Sequence, residues 1–193
     1  MSYGSVMETL YASTSLGTAK NTFTAESTVN DTAGMGVQYC LPAHFWSPNQ
    51  VQNGRGIKIV GKGTLSSTGT PTFTPTIRLG GSGSTTGPII GGASAGLTTV
   101  SNANSFFEIE LDVIMKTIGA AGANSTVMGL GRILCTGLAN SIAPLWANAA
   151  APPSTVSTVD HTIDNYININ FACSASAAAN QIQLFQLLVF ALN

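Results

Sequence analysis

The chain has 193 residues with 7 Lys+Arg, 8 Asp+Glu and a net charge of −1. Charged residues make up 8% of it, where an ordinary soluble domain carries roughly 25%. A surface this poor in Lys and Arg excludes electrostatic capture of nucleic acid. A hydrophobic content of 44% with so little net charge argues against a disordered chain.

Residues 1–34 are rich in Ser, Thr and Asn, with scattered apolar positions such as Val6, Leu10, Tyr11 and Phe23. They read as an N-terminal arm reaching onto a neighbour or as an extra edge strand on their own sheet. Met1–Leu10 has neither a basic n-region nor an apolar h-region, so no secretory signal is expected. A strand is predicted over 35–41, from the alternation of Met35, Val37 and Tyr39. The segment Leu41 to Pro48 holds His44 between two prolines and beside Phe45 and Trp46, and reads as a packed loop with a structural histidine.

A second strand is predicted over 54–65, with Ile57, Ile59, Gly61, Gly63 and Leu65 inward and Lys58 and Lys62 outward. Ser66 to Pro71 has the turn chemistry of a hairpin-like connection. A third strand over 72–80 alternates Phe73, Pro75, Ile77 and Leu79 with threonines and Arg78. Pro75 donates no hydrogen bond, so this strand should lie at an edge or carry a break there. Gly80 to Gly96 reads as a long loop. The clearest element covers 104–118, where Phe107, Ile109, Leu111, Val113 and Met115 alternate with Glu108, Glu110, Asp112 and Lys116.

A tight connection follows at 119–124, then a strand over 126–138. Ala139 to Val159 contains Pro144, Trp146, Pro152 and Pro153 and reads as an ordered crossover holding a short strand at 156–160. A strand at 165–174 points Ile167, Ile169, Phe171 and Cys173 inward and Asn168 and Asn170 outward. The last segment, 181–192, is apolar at nearly every position and fits a strand buried on both faces, or one buried in a core and in a subunit contact; a short helix competes, and strand is preferred because no helical stripe occurs elsewhere. Eight strands at this spacing predict an all-β fold, a jelly-roll β-sandwich of antiparallel strands over residues 35–193.

Catalytic provision is thin. His161 lies near Asp160 and Asp164 and could act as an oriented base or share a metal, but the run also reads as a polar turn before a strand. Glu108, Glu110 and Asp112 could form a carboxylate row of the kind glycosidases or calcium sites use. A solvated strand face is the plainer reading, with Lys58, Lys62 and Lys116 offsetting the charge. Cys40, Cys135 and Cys173 are widely spaced, form no CxxC pair and read as small buried hydrophobes. Gly61-Lys62-Gly63-Thr64 lacks the spacing of a phosphate loop, Gly54-Arg55-Gly56 and Gly129-Leu130-Gly131 are no dinucleotide fingerprint, and no GxSxG occurs. The sequons at Asn30 and Asn124 carry little weight without a signal. No catalytic, cofactor-binding or metal-binding residues are therefore expected, and no enzyme. The longest strongly apolar run, Leu187 to Leu192, is far short of the ~20 residues of a spanning helix, so no membrane partner is expected.

The run Gly54 to Gly63, then Ser67 to Phe73 and Ile77-Arg78-Leu79-Gly80, together with Phe107-Glu108-Ile109-Glu110-Leu111 and the closing strand ending at Asn193, resembles small virion structural proteins of tailed bacteriophages. The resemblance implies a jelly-roll subunit located in the virion and assembled in the host cytoplasm. It would serve as a head decoration (cement) protein or a tail-apparatus component. Such a protein would bind and bridge major capsid protein or other virion proteins as a homo-oligomer, expected to be a homotrimer. Low charge and a hydroxyl-rich surface agree, because such surface is cheaper to desolvate than charge. A receptor- or carbohydrate-binding sandwich is the alternative, with Trp46, Trp146, Tyr39 and Tyr166 as its aromatic platform.

Overall fold

The computed structural model describes residues 7–35, 38–46, 55–93, 95–100, 102–122, 124–136, 142–147 and 156–192. In chain order the elements are β1 (Glu8–Ala12), β2 (Lys20–Asn21), β3 (Ser27–Thr28), α1 (Thr32–Met35), β4 (Cys40–Leu41), β5 (Gly56–Ser67), β6 (Thr72–Gly80), β7 (Ile89–Gly92) and β8 (Leu97–Thr98). They continue with β9 (Asn102–Thr117), β10 (Ser125–Cys135), β11 (Ile142–Trp146), β12 (Val156–Val159), β13 (Asn165–Cys173) and β14 (Gln181–Leu192). The protein is all-β. Its strands form one antiparallel open sheet in the order β1-β14-β5-β9-β10-β11-β7-β6-β13-β3. β12 also pairs with β10, β2 with β14, β4 with β13 and β8 with β6.

The sheet folds over so that its two halves face each other like a sandwich. Phe107 of β9 packs against Phe171 of β13 with ring centroids 5.5 Å apart. Gly63 is what lets that aromatic pair sit close to β5: a Cβ there would lie 2.6 Å from Phe107 Cζ. At Gly61, by contrast, a Cβ would meet Ile169 and Leu184 at 3.4 Å, an ordinary van der Waals contact. The core is one apolar cluster built from the alternate residues of β5, β6, β9, β13 and β14. Phe107, Ile109, Leu111, Val113 and Met115 are all fully buried, as the period of two predicts.

Several expectations need correction. The strand predicted at 35–41 is reduced to Cys40–Leu41, because Thr32–Met35 turns helically; residues 36–37 lie outside the described residues. Ser66 to Pro71 is no hairpin. β5 and β6 do not pair, and this turn, with Gly69 at φ 74, carries the chain from one layer to the other. The long loop at 80–96 contains β7, which forms rungs with β6 and β11. Pro75 is not at an edge, since β6 pairs with β13 on one side. On the other side the partner changes from β7 to β8 around Pro75, so the missing donor falls at a break. The crossover 139–159 holds β11 as well as β12; residues 137–141 and 148–155 lie outside the described residues. The strands predicted at 72–80 and 181–192 have those bounds, and the remaining ones differ by at most three residues at an end, as hydrogen-bonded ends commonly do.

Among the described residues before position 35, β1 and β2 pair with β14 and β3 pairs with β13 of the same chain. Asn168 and Asn170 do point to the outer face of β13, but they are fully buried there. The loop 81–87, Glu26 and Gln38 reach over them. Asn168 Oδ1 accepts from Ser84 N–H and from Gln38 Nε2, while its amide donates to Gly81 O. Arg78 grips Glu26 with both arms of its guanidinium at 2.7 and 2.9 Å. Buried amides are stable only when so bonded.

The alternation makes a paired test. Phe107→Ala should lower unfolding free energy by about 3–5 kcal/mol, from lost burial plus a cavity. Phe106→Ala, one residue away on the outer face, should cost under about 1 kcal/mol. Urea unfolding of both variants measures the difference, and equal losses would contradict the assigned faces.

Candidate functional site

The fold brings together two histidines that lie far apart in the sequence. His44 sits in the turn after β4, held at φ 62, a left-handed backbone uncommon for a residue with a Cβ. Its ring meets His161 edge to face at 5.4 Å. His44 N–H donates to His161 O at 2.7 Å. Behind them Ser125, at the start of β10, places its Oγ 2.8 Å from His161 Nδ1 and accepts the Gly119 N–H. The rings open on a cleft of about 320 Å³ lined by His44, Ile118 to Ala121, His161 and Thr162. Sequence reasoning had no sign of this pairing, since neither His44 nor Ser125 lies near His161 in the chain.

The carboxylates expected to serve His161 are spent elsewhere. Asp160 accepts from Thr162 N–H, Thr162 Oγ–H and Gly122 N–H. Those bonds, the Thr162 hydroxyl first, hold its carboxyl below the usual range. Asp164 accepts from Ala43 N–H at 2.8 Å. Ser125 is fully buried, so a substrate cannot reach its oxygen. Among the described residues no group of three His, Cys, Asp or Glu is placed to hold a metal ion. The histidine cluster ties the turn after β4 to the connection between β9 and β10.

The carboxylate row is arranged as a ladder of ion pairs. Lys58 reaches Glu110 at 3.3 Å, Arg132 reaches the same carboxylate at 3.1 Å, and Lys62 reaches Glu108 at 3.3 Å. The Lys58 hydrogen bond leads in pulling the Glu110 carboxyl below its ordinary value. A general acid needs the opposite direction. The depression beside it, lined by Lys58, Glu110, Asp112, Leu130, Gly131 and Arg132, holds only about 160 Å³. All three cysteines are free thiols, and burial raises each of them, Cys135 to about 11. Such thiols are poor nucleophiles.

The four aromatics of the alternative platform are not gathered on one surface. Trp46 is 1% exposed and packs edge to face on Phe45. Tyr39 stacks on Tyr11 at 5.3 Å. Trp146 lies on β11 opposite Gly92, while Tyr166 lies on β13 opposite Gly80, with β7 and β6 between the two strands.

What the described surface does offer is an open sheet face. The outer side of β14, β5, β9 and β10 carries the ion-pair ladder, flanked by Phe106, Leu130 and Phe185, each more than a third exposed. Leu188, Phe190 and Leu192 continue it as half-buried residues on β14. Compared with known proteins, the chain matches no family model, no curated protein and no solved structure.

Two outcomes check this reading. Ser125→Ala should lose about 1–3 kcal/mol of stability in denaturant unfolding, because Gly119 N–H and His161 Nδ1 both lose a buried partner. The Glu110 carboxyl is depressed in the folded state, so its stabilisation is present above the unfolded carboxylate pKa and fades as pH falls through the folded value. Lys58→Met should flatten that acid limb of the stability–pH profile.

Proposed function

We propose that this chain is a structural subunit of a tailed-bacteriophage virion, a capsid decoration protein that binds and bridges major capsid protein subunits as a homo-oligomer. Its fold, in this reading, is a jelly roll. The strand pairs support that assignment because they are nested: β1 with β14, β3 with β13, β5 with β9, and β6 with β7. First pairs with last, second with seventh, third with sixth and fourth with fifth, as when one long hairpin is wrapped into two layers. β10 to β12 then form an insertion between the sixth and seventh strands.

The observation that carries the functional reading is the asymmetry of the two outer faces. One is sealed by the chain's own loops and amides; the other, among the described residues, carries no such cover and presents large apolar side chains around a ladder of ion pairs. Exposed apolar side chains grouped on either side of a row of ion pairs in this way mark an interaction surface. Decoration needs contact area and no reactive group, which agrees with carboxylates, thiols and histidines occupied in structural bonds. Binding only the assembled shell stabilises it by mass action, and several modest contacts per oligomer add up to firm attachment.

The test is cosedimentation of the purified chain with expanded heads of the phage that encodes it. Saturable binding and a raised melting temperature of the heads are expected. Heads that sediment without the protein and melt unchanged overturn the proposal.

A further inference from the structure

The registers arrange the open face in four columns. β14 contributes Leu188, Phe190 and Leu192; β5 contributes Lys58 and Lys62 about Val60. β9 contributes Glu108, Glu110 and Asp112, and β10 contributes Met128, Leu130 and Leu134 with Arg132 among them. The face is therefore apolar, basic, acidic and apolar in turn. Phe190, Lys58, Asp112 and Leu130 share one row across it. Within the chain Lys58 is bonded to Glu110, and among the described residues Asp112 forms no ion pair.

We propose that two copies of this chain pack face to face through this layer, about a twofold axis running along the strands between β5 and β9. That operation lays the basic column of each copy on the acidic column of the other. Lys58 faces Asp112 of the second copy and Lys62 faces Glu108, and each contact occurs twice, as an isologous interface requires. It also lays β14 on β10, so that Phe190 meets Leu130, Leu192 meets Met128, and Leu188 covers the aliphatic stem of Arg132. A twofold axis across the strands would set β9 on β9 and β5 on β5, acid on acid and base on base. Charge complementarity thus selects one axis.

The area suffices. Four strands at ~4.8 Å and five rows at ~6.7 Å cover roughly 600–650 Å² per copy. Two copies bury roughly 1,200–1,300 Å², the lower end of a standard specific interface. Sheets packed this way keep their strands within about 30° of each other, which long lysine side chains can bridge. The pair deepens the assembly reading by naming a second copy as the occupant of the open face; only its purpose in a particle rests on that reading.

Light scattering coupled to gel filtration should give a dimer mass for the wild type. Leu130→Arg should raise the dimer Kd by more than about tenfold while leaving the far-UV circular dichroism of the folded chain unchanged and removing the concentration dependence of its melting temperature. The decisive experiment uses two charge-inverted variants, Lys58→Glu/Lys62→Glu and Glu108→Lys/Asp112→Lys. Each should be monomeric alone, and mixing them should produce a one-to-one heterodimer by native mass spectrometry. A wild type that stays monomeric up to roughly 100 µM, where a contact of micromolar Kd is saturated, overturns the pair. So does a trimer mass, a Leu130→Arg protein that remains dimeric, or folded variants that fail to combine. If the charge variants do not fold, the Leu130→Arg result decides. Loss of the dimer leaves head binding to be judged by cosedimentation, and loss of head binding leaves the dimer mass standing, so the two readings fail separately.

Discussion

The structure depends on the closure of β9 over β13. Phe107 reaches Phe171 across the core only because β5 offers Gly63 at the point of approach. That contact fixes which residues of β9 look inward, and so which look outward. A slip of one residue would carry Glu108, Glu110 and Asp112 into the apolar interior and Phe107 into water. An unpaired buried carboxylate costs several kcal/mol even after relaxation, so the register has no competitor of comparable energy. The outer ladder is therefore a consequence of the core: β9 cannot bury its five apolar side chains without displaying its carboxylates to β5 and β10.

A sandwich-like fold closes its inner faces on each other and leaves two outer ones. The two are treated differently here. Over β13 and β6 the chain lays its own loops, and it meets the desolvation of that backbone with amides: Asn30 bonds both Ile167 O and Ile169 N–H, and Gln38 bonds Ile167 O, Asn168 and Gly83. Over β5 and β9 it lays nothing comparable among the described residues. Apart from Asp112, the acids there are matched within the chain, with Lys58 and Arg132 on Glu110 and Lys62 on Glu108. Pairing in water contributes little to the stability of a monomer. Its effect is to lower the cost of covering the face, since a matched pair sheds less hydration than two free ions.

How much of this was legible in the sequence follows from where the determining forces lie. The strands of β5, β6, β9, β13 and β14 carry their own signal, because each alternates strictly and is long enough for the period to stand out. The all-β class follows from them. β1, β7 and β11 carry little. Ile89–Gly92 ends in two glycines, and Ile142–Trp146 contains a proline, so each is a strand only because a neighbour supplies the ladder. Asn168 and Asn170 were assigned to the correct face by period, yet their burial depends on a loop dozens of residues away. The turn at 66–71 shows the same limit: its residues specify a reversal of the chain, and only the partners of β5 and β6 decide that it joins two layers.

The candidate chemistry was legible as residue types and illegible as geometry. His161 with two nearby aspartates has the composition of a site, but Asp160 and Asp164 close local turns while the ring turns to Ser125. The general reason is competition. In a chain with only 8 Asp+Glu, each carboxylate is a scarce acceptor for backbone N–H groups left unpaired at turns and for cations along strands. A carboxylate that serves as a general acid must be spared those bonds so that its proton affinity can rise; those of Asp160 and Glu110 are instead lowered by them. The same bonds that lower the proton affinity of Asp160 and Glu110 also settle their charge within the chain, and a surface whose ions are already matched is covered at smaller desolvation cost than one of free ions.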